Sequence, residues 1–189
     1  MSQAATKNTQ SSKFSVREIC YTGLFAAVIA VMAQISIPMP LGVPMTMQTF
    51  AITLAAVVLG SKLSVMASLV YLILGAVGVP VLASFSGGID KFVGPTGGFL
   101  ISFPLMAYII GLGVEHRNAF KGAFPLAVVV GTVVNYIVGV ILFVIVAHST
   151  VAVAISACVL PFIPTAIIKA VLACAIGLNI RKRIPGLKA

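Results

Sequence analysis

Apolar residues run along this chain in long blocks, separated by short clusters of Gly, Pro, Ser and charged side chains. The first block, roughly 19–37, begins at Ile19 and stops before Pro38-Met39-Pro40. With Pro44 close behind, 38–45 is expected to be a connection, because proline breaks a helix interior. A second block, roughly 46–60, is short for a membrane crossing, which takes about 20 apolar residues as helix. Gly60-Ser61-Lys62 turns the chain into a third block at about 63–82. Residues 83–98, ASFSGGIDKFVGPTGG, read as a Gly-rich loop. A fourth block at about 97–114 leads to the charged stretch 115–121, and a fifth covers about 122–147. The apolar stretch 151–163 is too short to cross and is expected as a partly buried loop or short helix. Pro164 suits the first turn of a sixth helix running to Ile180, before Arg181-Lys182-Arg183.

The basic residues test this count. With the N-terminus inside and six crossings, the inner segments hold Lys7, Lys13, Arg17, Lys62, Arg117, Lys121, Arg181, Lys182, Arg183 and Lys188, ten of the twelve. Cytoplasmic segments carry such an excess of Lys and Arg, whereas five crossings would strand the Arg-Lys-Arg cluster outside. The expected fold is an all-α, multi-pass protein of the cell membrane with six transmembrane helices and both termini cytoplasmic. Its parts are a polar tail at 1–15, a membrane domain at 16–183 and a basic tail at 184–189. Residues 1–13 lack the apolar core and cleavage site of a signal peptide. Both long connections, 38–48 and 83–98, then lie on the outer side, which suggests an outward-facing pocket.

Composition agrees. The chain is 60% hydrophobic and 8% charged, against about 25% charged in a soluble domain, and its mean hydropathy is +1.19. Its exterior therefore faces membrane lipid. The net charge of +9 lies between apolar segments, so it reads as topology and not as a nucleic-acid surface. Cys20, Cys158 and Cys174 form no CxxC and are expected to be small buried hydrophobes.

Little chemistry is on offer. There is no G-x-x-x-x-G-K-[ST], so the chain has no phosphate loop of its own. His116 and His148 fall on opposite sides of the expected topology and cannot share a metal. No catalytic residue, metal site or cofactor is expected. Ion-driven carriers keep carboxylates within the bundle, but Glu18 and Glu115 sit at inner helix ends and Asp90 in an outer loop. A pocket without a power source points to energy supplied by a partner.

Lys169 is the most informative residue. It lies five residues past Pro164, in the outer part of the membrane at about 1.5 Å per residue. It either snorkels to the interface or awaits an anionic ligand group, and no acid within one turn competes for it. Gly94-Pro95-Thr96-Gly97-Gly98 is either an ordinary tight loop or a place where backbone N–H groups are left free to bind. Gln48, Asn135 and Tyr136 are polar residues within apolar blocks, either helix-to-helix hydrogen bonders or ligand contacts. Gly23, Ala26, Ala27, Ala30 and Ala33 form a small-residue stripe on the first helix. It serves either internal packing or docking of a partner subunit.

VPMTMQTF at 43–50, Gly87-Gly88 followed by GPTGGF at 94–99, NYIVG at 135–139 and PFIPTAIIKA at 161–170 together resemble the biotin-specific substrate-capture subunits (BioY family) of energy-coupling factor transporters. The resemblance spans nearly the whole chain. It implies a six-helix subunit that binds biotin from outside and is not an enzyme, with energy supplied by a transmembrane coupling protein and two ATPases. It places Gln48, Gly87, Gly88, Gly94, Pro95, Thr96, Gly97, Gly98, Phe99, Asn135, Tyr136 and Lys169 at the ligand, and Gly23, Ala26, Ala27 and Ala30 on the docking surface. Two positions depart from the family pattern. Thr165-Ala166 stands where Gly-Asp is usual, which removes an acidic neighbour of Lys169, and Phe99 stands where Tyr is common. The alternatives are a subunit of the same architecture for another vitamin, an intramembrane enzyme, or a structural membrane scaffold.

Overall fold

A computed structural model describes residues 15–39, 42–117 and 122–184. Pro40, Lys7, Lys13, Lys121, Lys188 and nearly all of both expected tails lie outside the described residues. The helices are α1 (Val16–Ala33), α2 (Gln48–Leu59), α3 (Ser61–Ala76), a one-turn α4 (Asp90–Val93), α5 (Gly97–Glu115), α6 (Ala123–Val146), α7 (Val151–Cys158) and α8 (Ile163–Arg183). Among the described residues, four stretches are long and apolar enough to cross a membrane: α1, α5, α6, and the run of α7 and α8 together. Two shorter apolar helices, α2 and α3, accompany them.

The short second block finds its reason in packing. Nearly every residue of α2 is buried, from Phe50 through Leu59, because α8, α5, α1 and α3 surround it. A helix shielded by others on all sides presents no lipid-facing surface of its own. The helices around it bury one face each: on α1 this face is Thr22, Phe25, Ala26, Ile29 and Ala33, the spacing of a helical stripe. Their outer faces carry exposed Leu, Ile and Val, as a lipid-facing surface does. Close approach of α5 and α6 depends on glycine. A Cβ on Gly98 would lie 2.6 Å from the Val138 carbonyl oxygen of α6, and one on Gly131 would lie 2.8 Å from Ile110 of α5.

Two local expectations change and one is narrowed. The connection after α1 holds a two-stranded antiparallel ladder, β1 (Ser36–Ile37) against β2 (Met45–Thr46), with Ser36 opposite Thr46. An all-α reading missed it because two residues per strand carry no periodic signal. The stretch 151–163 is the short helix α7 and one 3₁₀ turn at Leu160–Phe162. Cys158 is buried and Cys174 half-buried, but Cys20 is exposed, since it lies on the outward face of α1.

The charges read as topology signals also have structural work. Glu18 accepts the Ser15 N–H at 2.8 Å, at the start of α1. At the same end of the bundle, Gly60 alone separates α2 from α3, with φ +84°. The Glu115 carboxylate accepts the Ser61 N–H at 2.6 Å and the Ser61 hydroxyl at 2.9 Å, capping α3. Arg181, only 5% exposed, donates to the Val57 and Val58 carbonyls at 3.3 and 3.0 Å, capping α2. Each charge sits where the dipole of the helix it caps favours it. A side chain on Gly60 would collide with the Glu115 carboxylate and approach Arg181 to 3.6 Å.

This clamp is testable. Glu115→Ala leaves the Ser61 N–H without its acceptor and should cost about 1–3 kcal/mol of stability. Arg181→Met should cost a similar amount, and the two losses should not add. Thermal unfolding of the detergent-solubilised variants measures both. A wild-type midpoint in either single variant would show that the clamp is not stabilising.

Candidate functional site

The other end of the bundle holds a cavity of about 290 Å³, near the lower bound of about 300 Å³ for small-molecule pockets. Both long connections and four helices meet around it. The first connection contributes Val43, Pro44 and Thr46, and the second contributes Leu82 to Ser84, Ser86, Lys91 and Thr96. Helix α2 supplies Gln48, α5 supplies Phe99 and Phe103, α6 supplies Tyr136, and α8 supplies Thr165, Ala166 and Lys169.

A chain of polar contacts crosses one wall. Lys169 reaches the first connection, where its Nζ donates to the Thr46 carbonyl at 2.7 Å. The Thr46 hydroxyl donates to Gln48 Oε1 at 2.8 Å. Gln48 Nε2 donates to the hydroxyl of Tyr71 on α3, a fully buried residue. The chain of contacts links α8, the first connection with the start of α2, and α3, and holds the Gln48 carboxamide between two hydroxyls. The sequence showed no acidic partner for Lys169, and the structure supplies a neutral one.

Phe99 and Tyr136 pack edge to face, with ring centres 6.5 Å apart. Phe99 backs onto Gly139, where a Cβ would strike the ring. Asn135 is 1% exposed. Its Nδ2 donates to the Phe99 carbonyl at 3.1 Å and to Ser102 Oγ at 2.7 Å. That amide ties α6 to α5 at the cavity's edge.

Lys91 and Lys169 both line the cavity, and no carboxylate does. Asp90 pairs with Lys91 at 3.3 Å, but Lys91 is 42% exposed and Asp90 67%, so this contact is weak. The cavity is therefore positively charged and mostly apolar. That combination suits an apolar molecule with an acidic end.

Of the residues singled out by sequence, Gln48, Thr96, Phe99, Asn135, Tyr136 and Lys169 come together at the cavity. Gly87, Gly88, Gly94, Pro95, Gly97 and Gly98 do not line it. At two of them the backbone N–H is used within the chain. The Gly88 N–H goes to the Gly75 carbonyl at 2.8 Å and the Gly97 N–H to the Gly94 carbonyl at 2.9 Å. These glycines let the connection fold tightly: Gly88 has φ +111°, and a Cβ on Gly97 would strike the Phe92 backbone. Sequence reasoning missed Lys91 and the Leu82–Ser86 segment, whose residue types resemble any polar loop. Thr46 lies inside the VPMTMQTF motif, and that motif was the available signal for it.

The small-residue stripe does not form one surface. Taken around α1, Ala33 and Ala26 are buried, Ala30 is half-buried, and Gly23 and Ala27 are exposed. Ala26 packs in the core, so its expected place on a docking face is corrected. Gly23 and Ala27 lie one turn apart on the outward side, with nothing near a Cβ built on Gly23. His116 and His148 stand at opposite ends of the bundle, and the described residues contain no cluster of metal-ligating side chains.

The family model described as BioY family matches residues 5–186. The biotin transporter BioY of Thermotoga maritima is 42% identical over 168 residues, covering 88% of this chain and 97% of that protein. The biotin transporter BioY of Rhizobium etli is 34% identical over 186 residues, covering 93% and 98%. A crystal structure described as the S-component for biotin from an ECF-type ABC transporter superposes with a TM-score of 0.81 at 26% identity, covering 89% of this chain and 93% of that one. The shared sequence thus runs through the cavity-forming connections and all the long helices, and the chain belongs to the BioY family.

Proposed function

We propose that this chain is the biotin-capture subunit of a vitamin uptake transporter in the cell membrane. The observation that carries this reading is the cavity itself: apolar walls, the Phe99–Tyr136 ring pair, and the Lys169 ammonium with no carboxylate facing it. Biotin has a compact bicyclic head and a flexible tail ending in a carboxylate. The rings and aliphatic side chains suit the apolar part of the head and the tail. Gln48, held by Thr46 and Tyr71, offers an amide to the polar ureido group. Lys169 takes the carboxylate, exchanging its neutral carbonyl partner for a charge-assisted bond. Ala166 replaces the usual acid beside that lysine, so the ammonium is not neutralised from within. The BioY relatives named as biotin transporters support the ligand.

The same reading takes α1, α2, α3, α5, α6 and α8 as six crossings with both termini in the cytoplasm. The Glu115–Arg181 end then faces inward and the cavity outward, which agrees with the distribution of basic residues. The missing phosphate loop and the missing carboxylates within the bundle place the energy source on partners, a coupling protein and two ATPases. The outward pair Gly23 and Ala27 is the part of the stripe free to meet the coupling protein.

Detergent-solubilised protein should retain biotin through dialysis, and excess biotin should displace it where thiamine or riboflavin do not. Lys169→Met keeps the length and removes the charge. It should weaken biotin binding about ten- to a hundredfold, the scale of one charge-assisted hydrogen bond. Wild type should discriminate against biotin amide, while the Met variant should bind acid and amide nearly alike. A variant that prefers the free acid as strongly as wild type would assign the carboxylate elsewhere. Reconstituted alone in liposomes, the protein should bind biotin without accumulating it, and concentrative uptake driven by a proton gradient would refute the need for a partner.

A further inference from the structure

Helix α1 ends at Gln34, whose side-chain amide is bonded through both polar atoms. Its Nε2 donates to the Ala30 carbonyl at 2.9 Å and to the Val81 carbonyl at 3.1 Å, and its Oε1 accepts the Phe85 N–H at 2.7 Å. One side chain thus brackets both ends of the segment 81–85. The hydroxyls of Ser36 and Ser84 add a second bond at 2.9 Å between the two connections.

The bracketed segment is a wall of the cavity, through Leu82, Ala83 and Ser84. Its backbone is strained. Ser84 and Phe85 have φ +58° and +54°, and neither is glycine. Left-handed backbone is unfavourable for residues with side chains, and two in succession persist only where the surroundings impose them. Packing of the Phe85 ring does not do so, because that residue is 72% exposed. The segment closes on itself through the Leu82 and Ser86 N–H groups and is anchored by the buried Leu82. The bonds to Gln34 and Ser36 are the side-chain hydrogen bonds that hold Ser84 and Phe85 from outside it. Gln34 itself does not line the cavity.

We infer that Gln34 is a positioning residue of the ligand site, a latch that holds the Leu82–Ser86 wall in its strained form against the cavity. The inference rests on the ligand reading given above. Release of the amide from Val81 and Phe85 lets the wall relax, so the latch controls how fast a captured ligand leaves. Because Gln34 also holds the Ala30 carbonyl, the wall follows the end of α1.

The test compares wild type with Gln34→Leu as purified full chains, by dissociation of radiolabelled biotin and by amide hydrogen exchange without ligand. Biotin should leave the variant about tenfold faster, the scale of a lost net hydrogen bond, with its association rate changed less than about threefold. Exchange should accelerate at Leu82 and Ser86, whose amides bond to the Ser86 and Ala83 carbonyls and not to Gln34. Adding Phe85→Gly should return dissociation to within about threefold of wild type, since glycine adopts positive φ freely, and Phe85 neither lines the cavity nor bonds Gln34 through its side chain. A purely structural loss in α1 would gain nothing from glycine at 85. Wild-type dissociation and exchange in Gln34→Leu would overturn the latch, as would faster dissociation on adding Phe85→Gly. If Gln34→Leu does not fold, Phe85→Gly alone decides: slower exchange at Leu82 and Ser86 supports the latch, and faster exchange overturns it. Failure of wild type to retain biotin would refute the ligand reading, while exchange in the ligand-free protein still judges the latch.

Discussion

The bond from Lys169 Nζ to the Thr46 carbonyl joins the last long helix to the first long connection, and the candidate site takes its shape from that contact. An ammonium within a membrane bundle is unfavourable unless something polar receives it. A backbone carbonyl does so without cancelling the charge. The same threonine orients Gln48 through its hydroxyl, and Tyr71 holds the far side of that amide. A cation is thereby held in a mostly apolar cavity by a neutral partner that orients it and leaves its charge uncancelled.

The opposite end of the bundle uses charge differently. Glu115 and Arg181 spend their polar atoms on helix ends beside Gly60, where a one-residue turn leaves backbone groups without partners of their own. In lipid such groups have no water to turn to. Charged side chains therefore stabilise a turn too tight for other caps, and α2 can be short and central because its ends are satisfied by neighbours. The rigid end carries the clamp, and the end with irregular connections carries the cavity.

Two kinds of glycine separate along the same division. Gly98 and Gly131 bring α5 and α6 together, while Gly87, Gly88 and Gly97 fold the second connection tightly behind the cavity wall. The GPTGG motif is thus close to the site without its glycines lining it. Its contribution is to place Thr96 and Phe99 at the cavity's edge.

Composition, block length and the distribution of basic residues determined by themselves that the chain is a helical membrane protein, because lipid admits few other solutions for so apolar a sequence. The motifs also marked Gln48, Phe99, Tyr136 and Lys169. Only tertiary structure decided what each residue touches. It buried Ala26 while leaving Ala27 exposed, one position apart on the same helix. It brought Lys91 to the cavity, gave Lys169 a partner 123 residues away, and set Gln34 against a distant loop. Local sequence records periodicity and propensity, which fix where helices form. Contacts between segments depend on how those helices rotate and pack, and no local pattern contains that information.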